Sequence, residues 1–256
     1  MPIKLKFIIA SLSSCSGCIL ALMALDIFPQ FLERVEFNYF PFISDKNEIE
    51  DADIALVEGC VSEDTQVEFL KSIRKNVKKL YALGTCAAFG GILSLSKKKD
   101  ANPISEFVEV DDIIPGCPPP PNLLGSNLIR LIENKSIKLS EKNMCDSCPL
   151  KDEINFNFKT QIHKILPSNS EFNSKNSKYK CFLNNGILCL GIITREGCEH
   201  KCMNYGLPCE GCLGSPTKKF VSNLINFLSL FPLSNDLKRY SGIFYRFSKP
   251  IIKRKR

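Results

Sequence analysis

Through the first 140 residues, short apolar runs alternate with longer stretches whose apolar positions recur every three or four residues. The runs Leu5 to Leu12, Ala52 to Val57 and Leu80 to Leu83 predict β-strands, with shorter ones over Val35 to Phe40 and Asp112 to Ile114. Between them, Glu63 to Val77 sets Val67, Leu70, Ile73 and Val77 on one helical stripe, with Glu63 and Asp64 at its start to complement the helix dipole. Ile19 to Val35 predicts a first helix that ends or bends near Pro29. Strands alternating with helices imply an α/β domain built on a parallel sheet, helices covering its faces.

After residue 140 the pattern changes. Eight cysteines fall within 68 residues, periodicity is weak, and Pro167 to Lys180 is a polar Ser, Asn and Lys-rich stretch that reads as an irregular loop. Two domains follow: 1–140, and 141–256, an irregular cysteine-rich domain whose fold is imposed by metal ligation. No repeat is evident beyond the cysteine pairs.

With 256 residues and 44% hydrophobic content the chain can bury a core, which excludes disorder. Thirteen cysteines in so large a chain suit metal binding better than a secreted disulfide framework. The apolar run after Lys4 and Lys6 is too short for a signal peptide and leads directly to Cys15 and Cys18, and Phe220 to Leu233 is too short and too interrupted by polar residues to span a bilayer. The expectation is an intracellular protein without a membrane span. Net charge is +7, concentrated in the tail Lys249 to Arg256; this tail and Lys97 to Lys99 read as solvated or partner-contacting segments.

Cys15-Ser16-Gly17-Cys18 follows the first strand, Gly84-Thr85-Cys86 a later one, and Pro115-Gly116-Cys117-Pro118 the next extended run. Carboxyl ends of parallel strands converge where strand order reverses, so four thiolates scattered over a hundred residues can meet at one site. Four thiolates suit a cubane iron–sulfur cluster or a structural zinc. Gly17, Gly59, Gly84, Gly90, Gly91 and Gly116 adjoin this rim, and missing side chains let backbone amides approach a bulky cluster, which favours the cubane.

Downstream, Cys145-Asp146-Ser147-Cys148 with Cys181 and Cys189 forms one candidate set, and Cys198, Cys202, Cys209 and Cys212 another. Zinc-ribbon ligation is the alternative for both, although the chain has only two histidines, His163 and His200. His200, inside the last loop, reads as a residue supporting a ligand or as a spare ligand; His163 has no evident role. Cys60 reads as a buried small hydrophobe near the first site. Glu58, at a strand end, is a candidate proton relay or a helix cap.

The ordered set Cys15-x-Gly-Cys18, Glu58-Gly59, Gly84-Thr85-Cys86 and Gly116-Cys117-Pro118-Pro119 resembles the small subunit of nickel–iron hydrogenases and its relative, the 20-kilodalton subunit of respiratory complex I. The stretch from Cys189 through Cys198 and Cys202 to Cys212 looks like the cytoplasmic sulfhydrogenase, deazaflavin-reducing and heterodisulfide-reductase-linked kinds. The complex I relative lacks this second domain and has two adjacent cysteines at its site, which this chain does not. The resemblance implies a flavodoxin-like doubly wound domain, a proximal [4Fe-4S] cluster on Cys15, Cys18, Cys86 and Cys117, a medial one on Cys198, Cys202, Cys209 and Cys212, and a distal one on Cys145, Cys148, Cys181 and Cys189. It further implies a large subunit holding the nickel–iron centre, a further electron-accepting subunit (a flavin or iron–sulfur protein), a cytoplasmic address, and no substrate chemistry on this chain itself. Ile192 and Cys60 depart from the family pattern, which has proline and a small residue at those places.

Two rival readings remain. One is an iron–sulfur subunit of a different oxidoreductase from the complex I-related superfamily. The other is a zinc-stabilised protein that holds nucleic acid with its basic tail.

Overall fold

The computed structural model describes residues 4–45, 48–96, 100–151, 160–167, 181–217, 220–238, 244 and 247. The basic tail, Lys97 to Lys99 and most of the polar loop after Pro167 lie outside the described residues. The chain divides into two compact units, the first running to Lys138 and the second starting at Leu139.

The first unit is a five-stranded sheet: β1 (Leu5–Ser11), β2 (Val35–Tyr39), β3 (Ala52–Glu58), β4 (Val77–Leu83) and β5 (Asp112–Ile114). Its order is β2-β1-β3-β4-β5 with every pairing parallel. This is the flavodoxin-like doubly wound arrangement, whose order reverses between β1 and β3. Both faces of the central strands are covered, so Phe7, Ile8, Ile9, Ala10, Ala55, Leu56 and Val57 are all fully buried in one unbroken apolar run each. On one face Ile8, Ala10, Val57, Leu80 and Ala82 pack with Leu70 and Ile73 of α3 (Asp64–Asn76). An aromatic file adds to the core, with Phe7 edge-on to Phe31 and Phe31 edge-on to Phe37.

Two boundaries differ from the expected ones. The first helix is two, α1 (Gly17–Met23) and α2 (Phe28–Arg34), because the chain turns before Pro29, which then occupies the first turn of α2, where its missing N–H costs nothing. Helix α3 stops at Asn76 and β4 begins at once with Val77, so Val77 is a buried strand residue and not the last of the helical stripe. Exposed Lys78 and Lys79 hide this strand start; Lys78 pairs with Asp53 and Lys79 with Asp111. The unit is completed by α4 (Gly84–Phe89) and α5 (Pro121–Ile132).

Among the described residues, the second unit holds α6 (Lys201–Asn204), α7 (Phe220–Leu230), α8 (Asn235–Lys238), and single 3-10 turns at Leu183–Asn185 and Gly191–Ile193. Isolated bridges such as Asn143 with Arg195 and Lys164 with Ile187 take the place of a sheet. Its core gathers Met144, Leu188, Leu190, Ile193, Phe227 and Phe231 around the buried Cys189 and Cys209.

Candidate metal centres

The rim of the first unit is assembled by hydrogen bonds between the segments that leave the strands. Beyond β1 and β3, Ser13 and Cys60 exchange backbone bonds at 3.1 and 3.0 Å. The two Gly-Cys turns are tied together in the same reciprocal way, with Thr85 N–H donating to Gly116 O (2.9 Å) and Gly116 N–H to the Thr85 hydroxyl (3.0 Å). Cys86 and Cys117 are therefore fixed relative to each other before any ligand binds.

Glu58, the last residue of β3, is 1% exposed and holds the cysteine pair. Its Oε2 accepts from the amides of Cys18 and Ile19, each at 3.1 Å, and its Oε1 from the Ser14 hydroxyl (2.9 Å) and the Ser11 hydroxyl. Ser16, in left-handed conformation at the start of α1, closes the turn between Cys15 and Cys18.

The four thiols of this rim lie within electrostatic reach of one another. Burial pushes the Cys18 thiol well up, followed by the charges of Glu58, Cys86, Cys117 and Cys15. Burial, then Cys60, Cys117, Cys15 and Glu58, pushes Cys86 up to about 12. Burial pushes the Cys117 thiol up as well, with the charge of Cys15 adding to it, so cations at this rim would favour the thiolate forms of Cys18, Cys86 and Cys117. The glycines fit the sulfurs closely: a Cβ on Gly84 would stand 2.2 Å from Cys18 Sγ, and one on Gly91 would stand 2.5 Å from Cys86 Sγ. Among the described residues, no three His, Cys, Asp or Glu side chains stand at the spacing of ligands to one ion. Four thiols within electrostatic reach of one another and cradled by glycine backbone suit a bulky cubane cluster.

In the second unit Cys145, Cys148, Cys181 and Cys189 likewise act on one another. Burial drives Cys145 up first, then the charges of Cys189, Cys148 and Cys181, and burial takes the fully enclosed Cys189 to about 12. Of the last four cysteines, Cys202 feels Cys198, and Cys209 feels Cys189 and then Cys212. The structure thus brings these four together as two pairs, one of which faces Cys189. None of the thirteen cysteines is in a disulfide.

Residues 15–131 match the family described as NADH ubiquinone oxidoreductase, 20 Kd subunit. A vhu subunit of the F420-non-reducing hydrogenase of Methanocaldococcus jannaschii is 34% identical, the alignment covering 85% of this chain and 84% of that one. The chain belongs to this family of hydrogenase subunits. The sulfhydrogenase 2 subunit delta of Pyrococcus furiosus is 28% identical over 94% of this chain and all of its own length. Among solved structures, the Actinobacterial-type NiFe-hydrogenase from Ralstonia eutropha H16 superposes with a TM-score of 0.63 at 14% identity, covering 91% of this chain and 83% of that one. The [NiFeSe] hydrogenase from Desulfovibrio vulgaris Hildenborough gives 0.62 at 16%, covering 85% and 95%. At these identities the likeness is one of fold.

Several residues of this hydrogenase-subunit chain carry site geometry that no motif announces. Met144 sits between Cys145 and the Cys198 loop, with Cys198 Sγ 3.8 Å from its sulfur. His200 Nε2 stands 2.9 Å from the Met144 carbonyl, a contact that suits a residue supporting a ligand. His163 covers Gly186 and contacts the Gln161 carbonyl. Cys60 is fully buried and directs its thiol at the Ser13 carbonyl, as a small hydrophobe with one weak bond. A buried methionine beside a cysteine was the one sequence signal available, and it is too common to single out.

Proposed function

We propose that this chain is the electron-transfer small subunit of a cytoplasmic nickel–iron hydrogenase, with three [4Fe-4S] clusters. The proximal cluster falls to Cys15, Cys18, Cys86 and Cys117, the medial to Cys198, Cys202, Cys209 and Cys212, and the distal to Cys145, Cys148, Cys181 and Cys189. The observation that carries the reading is the convergence of four thiols from three strand ends on a rim where Gly84 and Gly91 leave room only for sulfur. The relatives named as hydrogenase subunits supply the class of reaction, and a large subunit holding nickel and iron supplies the site of hydrogen chemistry. A second partner, a flavin or iron–sulfur protein, takes the electrons.

Clusters bound at these sites supply one-electron transfer, at potentials set by net charge, hydrogen bonds to sulfur and exposure to solvent. The protein's own part is to hold thiolates in fixed places, exclude water from them and aim amides at them. Glu58, chained to the Ser11 and Ser14 hydroxyls, is the proton-relay candidate at the rim. No helix among the described residues is long and apolar enough to cross a membrane.

The test is anaerobic purification of the complex with metal and acid-labile sulfide analysis. About twelve iron atoms per chain and copurifying nickel are expected. Zinc without sulfide would overturn the reading in favour of a zinc-stabilised binding protein, and clusters without a nickel partner would favour a different oxidoreductase. Cys86→Ser is expected to remove the proximal signal and hydrogen-dependent reduction of the others.

A further inference from the structure

Met144 is a member of neither cysteine set in the second unit, yet it is 1% exposed and gripped on every side. Its N–H donates to the carbonyls of Gly191 (3.0 Å) and Thr194 (2.9 Å). Its own carbonyl accepts from His200 at 2.9 Å; a carbonyl can only accept, so Nε2 carries the proton. Its thioether sulfur lies 3.8 Å from Cys198 Sγ, a contact that becomes apolar packing against a ligand sulfur once iron replaces the thiol proton. Cys145 follows Met144 directly, and His200 stands midway between Cys198 and Cys202. Glu199 and His200 both hold left-handed backbone, at φ 54° and 56°, which side-chain-bearing residues keep only when their surroundings fix them.

A second seam joins the two sets. Cys209 N–H donates to Cys189 Sγ at 3.3 Å, and Leu190 N–H donates to Cys209 O at 2.9 Å. Each seam joins a residue of one set, or its neighbour, to a residue of the other. Resting on the cluster reading above, we propose that these two sets form one coupled site, in which His200 is a positioning residue acting on both through Met144.

The physical chain is short. Without the imidazole donor, a buried carbonyl loses its partner and Met144 must shift to find another. That shift moves Cys145 on one side and the thioether against Cys198 on the other. Ligand placement and the shell around ligand sulfurs set cluster potentials, so both respond.

The test uses the full chain in its anaerobically purified complex, with redox titrations followed by electron paramagnetic resonance and with the second-unit signals assigned through Cys148→Ser and Cys202→Ser. His200→Leu and His200→Gln carry the same left-handed backbone, but only glutamine offers an N–H donor. With iron content unchanged, His200→Leu is expected to shift the reduced-to-oxidised ratio at fixed potential by about two- to threefold at both clusters, a fraction of the equilibrium worth of one hydrogen bond, because only the part that differs between redox states is read. Glutamine restores most of it. Should the leucine variant fail to fold, His200→Asn, which tolerates left-handed backbone yet falls short of the Met144 carbonyl, reads the same shift. A shift at one cluster alone, at neither, or equal in the leucine and glutamine variants overturns the coupling while leaving the clusters standing. Wild-type protein without acid-labile sulfide or cluster signals overturns the cluster reading, and the coupling with it.

Discussion

The Glu58 carboxylate underlies Cys18, accepting its amide at 3.1 Å and that of the next residue at the same distance. One side chain at the end of β3 thus fixes the start of α1, forty residues away in sequence. Glu58→Ala strands the Cys18 and Ile19 amides and leaves the part-buried Ser11 and Ser14 hydroxyls only each other, and is expected to destabilise the chain by about 3 kcal/mol in denaturant titration. Glu58→Gln keeps an acceptor for the amides and is expected to cost about 1 kcal/mol. The same variant separates holding from relaying: a loss of about a hundredfold in hydrogen–deuterium exchange by the complex, with iron retained, marks a relay, and unchanged exchange leaves Glu58 as a purely structural anchor.

Gly84 adopts φ +80°, and a Cβ there would overlap Cys18 Sγ at 2.2 Å. Gly84→Ala therefore faces both backbone strain and a collision with the Cys18 sulfur, a ligand of the proposed proximal cluster. Iron analysis is expected to find about four fewer atoms per chain. Gly206, also at positive φ but with nothing within 4 Å, is the control: Gly206→Ala is expected to cost about 1 kcal/mol and no iron.

The rim was legible in the sequence because its parts obey local rules. Strand runs ending in Gly-Cys or Cys-x-x-Cys can only place those cysteines at the carboxyl edge of a parallel sheet, and the structure brings Cys15, Cys18, Cys86 and Cys117 into mutual reach there. Element ends were less legible: Lys78 and Lys79 at the start of β4 pair their charges with Asp53 and Asp111, which no periodicity reveals. The second unit was least legible. Its order comes from contacts such as His200 with Met144 and Cys209 with Cys189, separated by 56 and 20 positions and carried by no repeating pattern.

Cys189 is buried, and burial raises its thiol from the ordinary 9.0 to about 12. Between those values the unfolded chain releases a proton that the folded metal-free chain retains, so folding is favoured less as pH rises. Stability of the metal-free protein is expected to fall by about 1.4 kcal/mol per pH unit above 9 from this thiol alone. Denaturant midpoints at pH 8, 9.5 and 10.5 measure it; a flat profile would contradict the burial. Cys189→Ala is expected to lessen the slope by that one thiol's share, because burial raises Cys145 and Cys209 as well.

Asp111 closes the opposite end of the sheet, accepting from Lys79 Nζ (2.8 Å), Leu80 N–H (2.8 Å) and Arg74 (3.0 Å). Burial works to raise its carboxyl, but the Lys79, Leu80 and Arg74 hydrogen bonds and the Lys79 charge outweigh it and hold the group below its ordinary 3.8. A depressed carboxyl contributes stability above the unfolded value, and that contribution is lost as pH falls through the folded one. Lys79 is more than half exposed, so water screens this pair and the contribution is about 1 kcal/mol. Asp111→Asn is expected to lower stability by that amount at pH 7 and to leave it nearly unchanged at pH 2, where the wild-type carboxyl is itself being protonated. Equal losses at both pH values would assign the effect to the Leu80 amide bond alone, since a neutral side chain that fails to replace it loses the same bond at any pH.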